Sequence, residues 1–186
     1  AVRGVALVYT GGRPINALTT AFTNLGKGYA GPIPVPVIIF AIVALISWFF
    51  LAKTQFGRYI YAIGGNEKAA LVSGLRVKQL KFLSYVINGM TAALAGILLA
   101  ARVAVGSPTA GESYDLLAIT AVVVGGTSNA GGTGGILPSI IGVFIVTVMN
   151  NGMDLLGISG YYQKIVTGVV VLLAVIIDRN NVNRNH

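Results

Sequence analysis

Polar and apolar positions along this chain of 186 residues separate into blocks rather than alternating. Ile33 to Ala52, IPVPVIIFAIVALISWFFLA, carries no charge. As a helix rising about 1.5 Å per residue it reaches roughly 30 Å, the thickness of a bilayer's hydrocarbon core. Pro34 and Pro36 stand at its entry, where a helix tolerates proline. Trp48 and the two phenylalanines after it belong near a membrane interface. Leu80 to Ala101 is the second such block, with Lys81 at one end and Arg102 beyond the other. Ser84, Asn88 and Thr91 recur there on one helical face, as interhelical bonding or a polar pathway would use them. Gly89, Ala92, Ala93 and Gly96 fall on another face and suit close helix packing. The opening residues, AVRGVALVY, read as the end of an apolar run already under way, so we expect a longer protein of which this is the C-terminal part.

Beyond Arg102 the pattern breaks up. Leu116 to Val124 is too short to cross alone; Gly125 to Gly135, GGTSNAGGTGG, follows, then Ile136 to Met149, NNGMDLLGISG, and Gln163 to Ile177. Short apolar runs interrupted by Gly and Pro are the signature of tilted, half-crossing or re-entrant helices. Irregular backbone at that depth survives only when buried in protein or facing a water-filled cavity.

Composition turns these runs into a class. Hydrophobic residues make up 55% of the chain, charged residues 10%, and the mean hydropathy is +0.80. A soluble domain carries about 25% charged residues. The prediction is an all-α polytopic membrane protein with about five transmembrane crossings, broken or re-entrant in its C-terminal half. There is no cysteine and one histidine, the terminal His186 of a cytoplasmic tail at 179–186, so no metal site and no cofactor is expected. No secretory signal pattern is visible.

Charge orients the crossings. The insert between the two clear spans holds Lys53, Arg58, Lys68, Arg76, Lys78 and Lys81 against Glu67 alone, six of the thirteen basic residues. The positive-inside rule puts it in the cytoplasm. Residues 102 to 115 are then external, and three further crossings return the C-terminus to the cytoplasm, with Asp178, Arg179 and Arg184. The net charge of +8 reflects this surface and not nucleic-acid binding.

Inside the insert, Asn66 is a good N-cap and Glu67 suits the first turn. Ala69, Ala70 and Leu71 propagate a helix, and Gly74 fits the C′ stop. Gly64 and Gly65 allow a sharp turn before it. The result is a helix of about two turns from Asn66 to Ser73, unstable alone in water. Ala69, Ala70, Leu71 and Val72 could fill a partner's groove, or the helix could lie on lipid headgroups; the residues leave both open.

Other temptations are weaker. GGTSNAGGTGG lacks the G-x-x-x-x-G-K-[ST] pattern of a phosphate loop, so the chain does not itself hydrolyse ATP; the run reads as a tight connection between half-helices. No catalytic constellation is present. Asp154, near an apolar run, either caps or ends a helix or touches a polar substrate, and Asn150 and Asn151 are similarly ambiguous.

GRYIYAIGGNEKAALVSGL, ITAVVVGGTSNAGGTGGI, NNGMDLLGISGYYQKIVTGVVVLLAV and the early VYTGGRPI together resemble the permease subunit of bacterial sugar ABC importers, nearest to the ribose permeases, with xylose and galactose permeases as relatives. The resemblance covers essentially the whole chain. It implies an inner-membrane permease domain over 1–178 with a cytoplasmic coupling loop at 53–79. The implied partners are an ABC ATPase, a periplasmic sugar-binding protein, a second permease copy in a homodimer, and membrane lipid. It carries the ATPase-coupling role to Gly64, Gly65, Asn66, Glu67, Ala69, Ala70, Ser73 and Gly74, and so favours a docking helix over an interfacial one. Ser84, Asn88 and Thr91 are the candidate pathway residues. Asn129, Thr133 and Pro138 depart from the family pattern, and Pro138 is expected to kink or restart a helix. Alternatives are a branched-chain amino-acid permease of the same superfamily, an ion-driven secondary carrier, or a membrane scaffold subunit.

Overall fold

The computed structural model describes residues 2–16 and 18–184, with side chains as far as residue 176. The expectations for Asp178, Arg179, Arg184 and His186 concern side chains outside the described residues. The fold is all-α apart from one small hairpin, and it divides into two compact units, residues 1–46 with 82–112 and residues 47–81 with 113–186.

The first unit opens with α1 (Val2–Thr10) and α2 (Thr20–Lys27), followed by β1 (Tyr29–Ala30) and β2 (Ile33–Pro34). The strands pair antiparallel, Ala30 opposite Ile33, around Gly31 in the left-handed region at φ +67°. Neither α2 nor the hairpin was foreseen. The hairpin takes the first two residues of the apolar run, so α3 (Val35–Lys53) starts at Val35, with Pro36 in its first turn. There proline's missing N–H costs no internal bond. The rest of the unit is the later part of α6 (Val77–Val103) and the segment after it. Ile15 and Gly106 exchange backbone hydrogen bonds of 2.8 and 2.9 Å. The segment between α1 and α2 and the segment following α6 therefore lie side by side. Arg3 pairs with Glu112 at 3.1 Å. Gly26 sits against the backbone of Ala101 and Arg102, closer than a side chain would permit.

The second unit holds the end of α3, then α4 (Gln55–Gly65), α5 (Glu67–Val72) and the start of α6, followed by α7 (Tyr114–Val124), α8 (Ile136–Leu155) and α9 (Gly160–Arg184). Helices α3, α6 and α8 have 19, 27 and 20 residues and are apolar enough to cross a bilayer. Helix α7, with 11 residues, rises only about 16 Å, half the hydrocarbon thickness, so the expected interruption falls at α7 and the glycine run; NNGMDL, expected to break the pattern, instead continues α8 to crossing length. Apolar residues of α9 run from Gly160 to Ile176.

Helices α7, α8 and α9 pack on one another. The α7–α8 contact is built on glycines. Gly142 of α8 lies on the Ala121 carbonyl of α7, and Gly125 lies on the Pro138 carbonyl, both closer than any β-carbon allows. Without a hydrophobic drive between helices in lipid, such close backbone approach supplies the cohesion. Thr120, Val123, Val146, Met153 and Thr167 are buried around it, and the Thr120 hydroxyl donates to the Leu116 carbonyl. Pro138 stands at the third position of α8. It therefore restarts the helix after the glycine run, in the first turn where its ring and missing donor are tolerated, and does not kink it.

Four glycines end helices in the same way. Gly11, Gly74, Gly126 and Gly157 have φ of +60°, +81°, +92° and +70°. In each case the N–H of the following residue bonds back around the helix end: Gly12 to Leu7, Leu75 to Ala70, Thr127 to Val122 and Ile158 to Met153, at 3.0–3.1 Å. These are Schellman caps, which satisfy the orphan carbonyls and release the chain in a new direction.

Candidate functional site

The polar insert is two helices, not one. Thr54 starts α4 by accepting from the Gly57 N–H at 3.4 Å while its own hydroxyl donates to the Phe50 carbonyl. Gly57 has to be glycine because the Leu51 carbonyl occupies the place of a β-carbon. This contact lets α4 fold back tightly from the end of α3. Lys53 Nζ lies 5.8 Å from the centroid of the Trp48 ring, a cation–π contact joining a basic residue to an aromatic at the end of the span.

Helix α5 follows after a single residue. Asn66 Oδ1 accepts from the Ala69 N–H at 3.0 Å, as an N-cap should, and the Ser73 hydroxyl donates to the Ala69 carbonyl at 2.7 Å. With the Gly74 cap, both ends of this six-residue helix are satisfied. An isolated helix this short would not persist; it is held by a small core. Ile63 of α4, Ala70 of α5 and Val77 of α6 are buried together, with Leu75 and Leu80 packed on them. The hydrophobic residue at C″, Leu75, thus completes the Schellman cap as well as the core. Glu67 and Lys81 close the insert with an exposed ion pair of 2.6 Å.

Packing assigns different places to the eight residues singled out for coupling. Ala70, 4% exposed, faces inward and braces the helix instead of offering a surface. Asn66, Glu67, Ala69, Ser73 and Gly74 are exposed. Beside them Val72 is 90% and Leu71 54% exposed, an apolar edge on an otherwise polar insert. Gly64 and Gly65 do not form the expected turn: both belong to the last turn of α4, and the chain bends at Asn66, whose backbone is extended.

The reason for glycine at 64 lies elsewhere. A β-carbon there would stand 2.5 Å from the Gly132 nitrogen, one on Gly131 would stand 2.8 Å from the Gly64 oxygen, and one on Gly132 would stand 2.8 Å from Gly65 Cα. The Tyr61 hydroxyl donates to the Gly134 carbonyl at 2.8 Å. The run at 125–135 is thus seated on α4. Its interior is closed by Ser128 N–H to the Thr133 carbonyl, 3.2 Å, and its base by Thr127 and Ser139, whose hydroxyl oxygens are 3.3 Å apart. Sequence reasoning missed Tyr61, Gly131 and Gly132. Paired glycines in a loop without a phosphate motif were the available signal for close backbone approach.

Ser84, Asn88 and Thr91 lie along α6 in the first unit, and the insert at 53–79 belongs to the second. Asn88 and Thr91 are exposed and Ser84 is half-buried. The Thr91 hydroxyl bonds the carbonyls of its own helix at Ile87 and Asn88, 3.1 and 3.0 Å. Asp154 is in the last turn of α8, where its carboxylate accepts from Gln163 Nε2 at 2.7 Å. It tethers the start of α9 to the end of α8. One amide oxygen of Asn150 is buried without a hydrogen-bond partner.

Residues 4–175 match the family described as branched-chain amino acid transport system / permease component. The chain belongs to this permease family. It is 52% identical over 179 residues to the ribose import permease protein RbsC of Bacillus subtilis and 49% identical over 181 residues to that of Escherichia coli K12, covering 95% of this chain and 56% of each relative. It is also 45% identical over 149 residues to the xylose transport system permease protein XylH of Haemophilus influenzae, 80% of this chain and 40% of that protein. The chain therefore spans little more than half the length of the ribose permeases it matches. No solved structure matches it. Membership and the three long apolar helices make this family member a multi-pass membrane protein.

Proposed function

We propose that the chain is part of the permease of an ABC importer that carries a ribose-like monosaccharide across the bacterial inner membrane into the cytoplasm. The observation that carries the substrate is the 52% identity over 179 residues to a protein named for ribose import. The observation that carries the mode of action is α5: a helix capped at both ends, fixed on its own core, with Leu71 and Val72 turned outward. A helix that only rested on headgroups would not need such bracing. A rigid, partly apolar knob suits a cleft on another protein, where a few buried anchors supply most of the affinity.

In this reading the insert at 53–79 and the C-terminus are cytoplasmic, and an ATPase docks on α5. A periplasmic sugar-binding protein delivers the substrate from the other side. Two permease copies frame the path, and ATP hydrolysis on the partner drives alternating access. The permease itself catalyses no reaction. The polar face of Ser84, Asn88 and Thr91 is assigned to the path.

The test is co-purification of the full permease with its candidate ATPase and binding protein, followed by ATP hydrolysis across a panel of ribose, xylose, allose, galactose, leucine and valine. Stimulation by ribose above the other sugars supports the proposal. Stimulation by leucine or valine would replace it with the amino-acid reading, which the family's description favours.

A further inference from the structure

We propose that Gly64, Gly131 and Gly132 are positioning residues: they form a clasp free of side chains that locks the docking insert to the α7–α8 pair, so that displacement of docked α5 reaches those helices as a rigid movement. The inference rests on the docking role of α5, and it adds the route by which movement leaves the insert.

Three reciprocal approaches between the end of α4 and the loop exclude a β-carbon on either side, and the Tyr61 to Gly134 hydrogen bond crosses the same junction. Gly131 and Gly132 have φ of +94° and +78°, a region other residues enter only with strain, so glycine is required there twice over. Side chains absorb small displacements by changing rotamer; backbone against backbone has no rotamer to change, and densely packed interiors transmit strain. The loop is itself braced by Ser128–Thr133 and Thr127–Ser139. It ends on further contacts of the same kind, Gly125 on Pro138 and Gly142 on Ala121. The glycine-to-backbone contacts at the insert are thus joined, through the hydrogen bonds that brace the loop, to those of the packed α7–α8 pair. The covalent links of the insert lead only into α3 and α6, so the clasp is the contact by which α5 acts on a different pair of helices.

The experiment places spin labels on Lys68 and Ala130, both exposed, in the full permease assembled with its ATPase, and measures their separation without nucleotide and with a non-hydrolysable ATP analogue. The expected result is one narrow distance distribution unchanged by the analogue. A change beyond about 5 Å, the scale of one helical turn in switching transitions, would overturn the clasp. In parallel, Gly132→Ala is expected to keep ATPase association while sugar-stimulated hydrolysis and uptake fall by about tenfold, a typical coupling between sites. Full uptake in Gly132→Ala would also overturn it. Loss of association in that variant would make the loop part of the docking surface and equally overturn the transmitting role. Failure of the docking reading has a different signature: Val72→Glu keeps association while the Lys68–Ala130 separation stays fixed.

Discussion

Gly64 and Gly132 touch through their backbones, so closely that a methyl group on Gly64 would lie 2.5 Å from the Gly132 nitrogen. Their separation in sequence hides this contact, yet it sets the residue type at both positions. Gly64→Ala is therefore expected to destabilise the second unit by about 1–3 kcal/mol, the usual cost of forcing extra volume into a packed site. Gly65→Ala, with open space around it, should be close to neutral. Thermal unfolding of the purified permease compares the two, and equal midpoints would refute the contact.

Val72 is expected to be an anchor for the partner. Because it is 90% exposed, Val72→Glu should change stability by less than about 0.5 kcal/mol while abolishing capture of the ATPase. Ala70→Glu should instead unfold the insert, since it buries a charge in the Ile63–Val77 core. Capture assays combined with hydrogen exchange over residues 63–77 separate loss of surface from loss of fold.

Removal of the caps should loosen α5 without altering its surface. Asn66→Ala is expected to cost about 1 kcal/mol through the lost bond to the Ala69 N–H. Gly74→Ala is expected to cost about 1–2 kcal/mol for its left-handed backbone. Faster amide exchange at residues 67–73 in both variants is the readout; exchange indistinguishable from the parent would count against the caps.

The Glu67–Lys81 pair is exposed on both sides, so its contribution to stability should stay below about 1 kcal/mol. Its charges matter more as features of the surface. If Glu67 serves only to pair with Lys81, exchanging the two residues restores ATPase capture lost in Glu67→Lys. If the carboxylate is read by the partner, the exchange restores nothing. A double-mutant cycle on capture affinity decides between the two roles.

On α6, Thr91→Val is expected to reduce sugar uptake less than Asn88→Leu, because the Thr91 hydroxyl is already engaged by the Ile87 and Asn88 carbonyls. Asn88→Leu should reduce uptake several-fold if that face lines the path. Transport in vesicles with both variants tests the pairing; an active Asn88→Leu protein would remove this face from the path.

Much of the protein is legible in one dimension because the bilayer is a demanding solvent. Uncharged runs of crossing length, basic residues gathered in one insert, and the Asn66 and Gly74 caps each depend on a few neighbouring residues and on the energy of exposing polar groups to lipid. The interruption at 125–135 and the restart of α8 at Pro138 were legible for the same local reasons. The hairpin at Tyr29–Pro34 was hidden because its two-residue strands leave no periodicity to detect.

By itself, the sequence determined the all-α membrane class, the long spans, the position of the insert and the ends of its short helix. Only the tertiary structure decided that Ala70 points inward while Val72 points out, that Glu67 is paired with Lys81, and that the glycines at 64 and 132 serve each other. Helical periodicity says which residues share a face but not which face meets a neighbour. A glycine, having no side chain, gives no sign in the sequence of which distant backbone it must let in.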